Sequence, residues 1–447
     1  MKSEDAIEVA VKQAVDFINH ADLRAYFKNG NSLFAPQVRT DSGGFYLIGD
    51  EAFETLKPLL SIVISENKWE RMISPSDVVE KMLELFGDVL FKRVNDVDTE
   101  GAFLSALKAR IEDEFKSYTV YVPCNITYTD CKPIELLIGP VRLLNRAAFK
   151  LFIERNRNQL KHFKHQELWD ECESHYDKFQ WVSEVKIPRV YEYDIAKELA
   201  EKASINALNL LHLLISITHS YRMETGFNIS PTNDSYQVYR YHDGKFGYQL
   251  SGSASGNVGI PDDFWNMFEE GYFKTLLTIH SEAINLSLEL KESYPAVERY
   301  LQASYWLGDA IRESSPAIQV VKYVTCLERL LTFNESSAIK KKVSKRSTAL
   351  LICSGFVGNS SAGNVYYEFK QLYQLRSDVV HGSLSPNADK LPMSLIRIDE
   401  LTREVVMSFM NLVGARLHEN DTELRLSSWL KQLVRDTGLA ALDEETG

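Results

Sequence analysis

The sequence predicts an α+β multidomain chain: a mixed α/β N-terminal region over residues 1–290, an all-α bundle over 291–420, and a C-terminal helix with an acidic tail over 421–447. Three observations predict it. Segments rich in β-branched and aromatic residues, punctuated by Pro and Gly, fall between about 118 and 250. Long apolar rhythms at helical spacing lie around and between them. After Pro295 the strand signals stop.

Taken in order, residues 1 to about 115 read as helical, broken near Lys28–Gly49 by a Gly/Ser/Asn-rich stretch with room for a short strand, and a subdivision is expected near 115. Tyr118–Tyr128, Ile134–Leu144 and Phe179–Val190 read as strands. A hairpin is expected over Tyr236–Leu250, with Asp243-Gly244 as its two-residue turn. Helices are expected over about 192–222 and 261–292.

In the last third, Pro295 suits the first position of one helix, and Ser315-Pro316 is a serine cap followed by a first-turn proline. In that second helix Val320, Val324, Leu327 and Leu331 should face the core. A basic helix follows from about Ser336 to Cys353, then a Gly/Asn/Ser loop over Gly355–Gly363, a helix ending at Gly382, and a long helix over about Leu391–His418. Four or five helices with short connections make a bundle.

The chain has 447 residues, 45% of them hydrophobic, and a net charge of -12, which argues against a broad basic surface but leaves room for a small basic cleft. The acidic residues of the N-terminal helical rhythm do not follow the order of a secretory signal. The most apolar run, Leu208–Ile217, is about half a membrane span and carries His212. Five scattered cysteines without a Cys-x-x-Cys pair suit free thiols in a reducing compartment. A cytoplasmic protein without membrane contact is the expectation.

One helix carries an oddity. In NVYYEFKQLYQLRSDVVHG the apolar stripe runs Val365, Phe369, Leu372, then position 376, then Val379, and position 376 is arginine. A guanidinium on a buried stripe needs an anionic partner, either a carboxylate of a neighbouring helix or a phosphate. His381 follows five residues later, directly before Gly382, the residue type that ends helices in a left-handed conformation. At the negative end of the helix dipole, a histidine can give or take a proton near physiological pH. The arginine beside it can hold a phosphate and stabilise charge on a pentacoordinate phosphorus.

Spacing alone does not single the pair out, since Arg157 and His162 repeat the interval on a helix that reads as solvated. Lys340, Lys341, Lys342, Lys345 and Arg346 form either a phosphate-tracking patch or a solvated helix face. His162, His165, Cys172 and His175 have a zinc-like spacing, but on one continuous helix the outer two would lie about 20 Å apart, too far for one ion. No metal and no cofactor are expected.

The segment LYQLRSDVVHGS resembles the hallmark of the HEPN superfamily, in particular its Apea-like branch, with a tyrosine, leucine and arginine followed by histidine-glycine. VVKYVTCLERLLTF is similar to that branch's first core helix, with Glu328 in the place of its glutamate, and KKKVSKRSTALL to its second. The resemblance covers about 290–420. It implies a metal-independent endoribonuclease, as in prokaryotic anti-phage abortive-infection proteins. Arg376 and His381 would be its catalytic core, Ser377 and Asp378 the polar residues within the motif, and Glu328 the acidic partner. It further implies RNA, tRNA among the candidates, as substrate, a homodimer or higher homo-oligomer, and a phage-derived or protein trigger acting through residues 1–290. Two alternatives stay open: a non-catalytic binding and oligomerisation module, and a toxin subunit held by an antitoxin. A buried Arg376–Glu328 ion pair with His381 as a cap is the competing structural reading.

Overall fold

The computed structural model describes residues 6–20, 37–39, 45–47, 49–90, 99–127, 132–160, 173–230, 233–242, 245–254, 260–333, 335–386, 391–414, 417 and 423–443. The chain packs as two compact units: Met1–Tyr118 with Pro188–Ala196, and Thr119–Ile187 with Lys197–Gly447.

The first unit is helical. It contains α1 (Ala6–His20), the short paired strands β1 (Gln37–Arg39) and β2 (Phe45–Leu47), α2 (Asp50–Asn67), α3 (Pro75–Leu90) and α4 (Glu100–Glu114). Thr99 caps α4 by accepting from the Ala102 N–H at 3.3 Å. Trp69 is fully buried and meets the edge of Phe115, which in turn meets Tyr191 on the returning segment. Arg189 of that segment donates to the Phe115 and Glu112 carbonyls.

The second unit holds a five-stranded sheet in the order β4-β5-β6-β3-β7. Its strands are β3 (Lys116–Asn125), β4 (Glu135–Ile138), β5 (Val141–Asn145), β6 (Trp181–Val190) and β7 (Glu224–Thr225). The expected strand over Ile134–Leu144 is two strands, because Gly139 turns the chain with φ of 59°. Leu144 and Val182 pack with Ala148, Phe149 and Ile153 of α5 (Arg146–Leu160). The strands β8 (Asn233–His242) and β9 (Lys245–Ala254) pair antiparallel as the expected hairpin; Asp243 and Gly244 lie outside the described residues.

The long helix α6 (Tyr193–Leu214) leads into α7 (Ile217–Ser220). Its apolar run is buried: Leu208, Leu210, Leu211 and Leu213 belong to the core. Among the described residues no helix is long and apolar enough to cross a membrane. The rhythm over 261–292 divides into a 3-10 segment, Asp262–Glu269, and α8 (Gly271–Ser287), since Gly271 takes φ of 69°.

The bundle follows as α9 (Pro295–Arg312), α10 (Pro316–Leu331), α11 (Ile339–Cys353), α12 (Ala362–Val380), α13 (Leu395–Val413) and α14 (Glu423–Asp436). Pro295 opens α9, and the Ser315 hydroxyl accepts from the Ile318 N–H at the start of α10. Val320, Val324, Leu327 and Leu331 are all buried, as their spacing predicts. α10 sits centrally, packed against α9, α11, α12 and α13.

No packing boundary falls at 290. α8 and α13 pack together, and the bundle shares its unit with the sheet. Gly308 of α9 lets α6 approach so closely that a Cβ there would collide with the Asn209 amide oxygen. Arg312 then donates to Nε2 of the buried His212 at 3.0 Å. Buried Asp399 of α13 accepts from Tyr323, Arg403 and the Ile217 N–H. Apart from Arg403, which lies four residues on along α13, the partners come from other elements far away in sequence, which local patterns do not report. The C-terminal segment is likewise part of the bundle: Leu439, Leu433 and Val434 pack on Ala349, Ile352 and Ala362.

Two buried histidines make this unit acid-sensitive. Burial and then the charge of Arg312 hold His212 well below its ordinary range. Burial pulls His280 down to about 4, against the opposing effect of its bond to the Asn206 carbonyl. An unfolded chain binds a proton at such sites below about 6.5, whereas folded His280 stays neutral down to about 4. Stability is therefore fully present above the unfolded value and is lost as pH falls through that window. The His280 share approaches about 3 kcal/mol. Urea midpoints measured from about pH 7 to about pH 5 should fall, and His280→Gln should flatten part of that slope.

Candidate functional site

The site is built on α12. Val365, Phe369, Leu372 and Val379 are buried on its core-facing stripe, and Arg376 lies on the flank of that stripe facing α10. From α10, Glu328 meets it: Arg376 Nη2 lies 3.8 Å from Glu328 Oε2, beyond hydrogen-bond reach. Both side chains keep about a quarter of their surface exposed, 26% and 23%. Arg376 Nε is buried without a hydrogen-bond partner. The Arg376–Glu328 ion pair of the competing reading is present, long at 3.8 Å and partly exposed at both partners, with His381 as the helix C-cap.

Tyr373 touches both partners. Its hydroxyl donates to Glu328 Oε1 at 2.7 Å, and the Arg376 guanidinium stands over its ring, 5.9 Å from the centroid. Burial first, then the hydrogen bond to Glu328, pushes the Tyr373 phenol up to about 12, so it stays a donor at neutral pH. Sequence reasoning placed Tyr373 in the motif without giving it a contact. The available signal was its position three residues before Arg376, on the same helix flank.

The helix ends as the sequence predicts. Gly382 takes φ of 79°, His381 is the C-cap residue, and its N–H donates to the Ser377 carbonyl at 2.9 Å. The His381 side chain is exposed. Ser377 and Asp378 are half-buried, and Asp378 accepts from Gln374 Nε2 at 2.8 Å. Five residues of helix set Arg376 and His381 about 140° apart around the axis, so the two do not converge through helix geometry alone.

The five-residue basic patch divides. Lys341 is exposed, while Lys340 and Lys342 are half-buried. Lys340 donates to Gln374 of α12 at 2.9 Å, and Lys342 lies 3.6 Å from Glu335. The other two turn inward, contrary to a phosphate-tracking role. Lys345 is buried and donates to the Ala440 carbonyl at 2.9 Å. Arg346, 3% exposed, grips Glu335 with both ends of its fork at 2.7 and 2.9 Å and also donates to the Leu331 carbonyl. The physical reason is position: α11 packs on α10, α12, α13 and α14, so its second turn already faces the interior. Glu335, the anion that makes this burial tolerable, was not singled out from the sequence.

Among the described residues no group of histidine, cysteine and carboxylate side chains is placed to hold a metal ion. His162, His165 and Cys172 lie outside the described residues; His175 packs its ring against Tyr176 and Phe179. The decoy histidine, His162, is outside them as well.

The divided patch is testable by stability. Arg346→Ala strands Glu335 beside buried backbone carbonyls and should cost about 3–5 kcal/mol. Lys341→Ala should stay within about 0.5 kcal/mol of the parent. Chemical denaturation of the two variants checks both. Comparison of the chain with family models, with curated proteins and with solved structures gave no match.

Proposed function

We propose that the protein is a metal-independent endoribonuclease of HEPN type, with Arg376 and His381 as its catalytic pair. One observation carries the reading. Among the described residues the terminal N–H groups of Arg376 find no hydrogen-bond acceptor, the facing carboxylate stands 3.8 Å away, and the side chain is 26% exposed, on the same helix end as an exposed imidazole. A guanidinium with idle donors is suited to a phosphodiester, which its fork can grip at two oxygens.

In the proposed reaction the ribose 2′-oxygen attacks the adjacent phosphorus and the bond from phosphorus to the 5′-oxygen breaks. The products are a 2′,3′-cyclic phosphate and a free 5′-hydroxyl. Arg376 neutralises charge on the non-bridging oxygens in the transition state. His381, as imidazolium, protonates the departing 5′-oxygen, and solvent water takes the 2′-hydroxyl proton. The angular separation of the two residues on one helix supports a paired site, in which Arg376 of one copy works with His381 of another. Lys340, Lys341 and Lys342 are the basic residues left to follow the RNA backbone. Ser377 and Asp378 shape the helix end, and Glu328 sets the position of Arg376. The proposed setting is anti-phage defence, on the resemblance of the motif to abortive-infection proteins, with tRNA among the candidate substrates.

His381→Ala should abolish cleavage of single-stranded RNA and tRNA in the presence of EDTA while leaving the thermal unfolding midpoint unchanged. Cleavage by His381→Ala at the rate of the parent protein would end the assignment. A mixture of Arg376→Ala and His381→Ala proteins should regain activity that neither has alone, because a mixed pair contains one intact composite site. A mixture as inactive as its parts points to a site within one chain.

A further inference from the structure

Resting on that reading, we infer that Tyr373 is a positioning residue that holds Glu328 away from Arg376 and so keeps the guanidinium available to a phosphate. The argument begins with the geometry of a carboxylate. Two oxygens in one plane match the two parallel N–H bonds of an arginine fork, and a carboxylate with both oxygens free closes on arginine at bidentate distance. Arg346 on the neighbouring helix α11 and Glu335 in the connection before it have that form, with both oxygens taken at 2.7 and 2.9 Å. Glu328 does not have it. Its Oε1 is occupied by the Tyr373 hydroxyl at 2.7 Å, and only Oε2 is left to face Arg376, at 3.8 Å.

The same chain thus contains one closed pair and one open pair. One difference between them is a phenol on one carboxylate oxygen of the open pair. The closed pair is sealed, with Arg346 3% exposed, whereas the open pair keeps solvent access at both partners. Tyr373 also places its ring under the guanidinium, a face that attracts the cation without using any of its N–H donors. Glu328 then tethers Arg376 near the α10–α12 groove by charge, while Tyr373 prevents that tether from becoming a lock. Substrate phosphate is the ligand that takes up the unused donors.

The test is a double-mutant cycle between Tyr373→Phe and Glu328→Gln, with each protein first shown to be folded by its thermal unfolding profile. Phenylalanine keeps the ring beneath Arg376 and removes only the hydroxyl. With Glu328 present, Tyr373→Phe frees the second oxygen, the pair closes, and kcat/KM for single-stranded RNA should fall about fivefold. In the Glu328→Gln background there is no charge to close on Arg376, and the same Tyr373→Phe change should alter kcat/KM by less than about twofold. An equal loss in both backgrounds overturns the inference, since it means that the hydroxyl touches substrate or merely supports the helix.

A second readout separates this inference from the nuclease reading. The four proteins are titrated with a fully 2′-deoxy oligonucleotide, which presents phosphates and cannot be cleaved through a 2′-oxygen. If the cycle shows coupling in binding but no protein cleaves RNA, the positioning role stands and the nuclease reading falls. If the parent cleaves RNA and the cycle is flat in both readouts, the positioning role falls and the nuclease reading stands. Absence of both cleavage and binding overturns both.

Discussion

A cation placed on the packed side of a helix has to be answered, and the way it is answered at Arg376 governs the character of the whole site. Moving a guanidinium out of water is expensive, so the bundle brings a carboxylate to it from α10. The same carboxylate is shared with a phenol, so the answer is incomplete. Full neutralisation would give a structural ion pair of the kind formed by Arg346 and Glu335. Partial neutralisation leaves a positively charged group partly exposed on a chain whose net charge is -12. The two pairs differ by about an ångström of separation and by the phenol bonded to Glu328.

The two arginine–glutamate pairs also show how a basic run can serve opposite ends. From Lys340 to Arg346 the helix α11 passes from solvent into the bundle. Residues at its first turn remain accessible, and those one turn later satisfy backbone carbonyls at the ends of other elements: Ala440 for Lys345 and Leu331 for Arg346. A local cluster of positive charge is therefore a property of the sequence, while its division into surface and interior is a property of packing. The long aliphatic stems allow this, since lysine and arginine can bury carbon while the charged head reaches a partner.

The bundle is anchored to the elements that precede it by polar contacts within an apolar interior. Asp399 ties α13 to the start of α7, and the His212–Arg312 contact ties α6 to α9 where Gly308 removes the steric barrier. Such contacts add specificity of register more than net stability, because each buried polar group gives up hydration to make them. Residues from 197 onward share one packing unit with the sheet, and the C-terminal segment covers α11 through apolar contacts of Leu433, Val434 and Leu439. α10, the helix that carries Glu328, packs against α9, α11, α12 and α13.

What the sequence by itself determined was local. The serine and proline starts of α9 and α10, the buried face of α10, the strands between 116 and 190, and the left-handed glycine that ends α12 all follow from short-range backbone and periodicity rules. The position of Arg376 on the packed side of its helix and the exposure of His381 at the helix end belong to the same class. Tertiary structure alone decided the partners. Nothing within a few residues of Arg346 announces Glu335 as its clamp, of Glu328 announces the Tyr373 hydroxyl, or of His212 announces Arg312, because each partner comes from a different element. Local patterns report which face a side chain takes; only the packing of whole helices, driven by their apolar stripes, sets which groups meet on that face and at what distance.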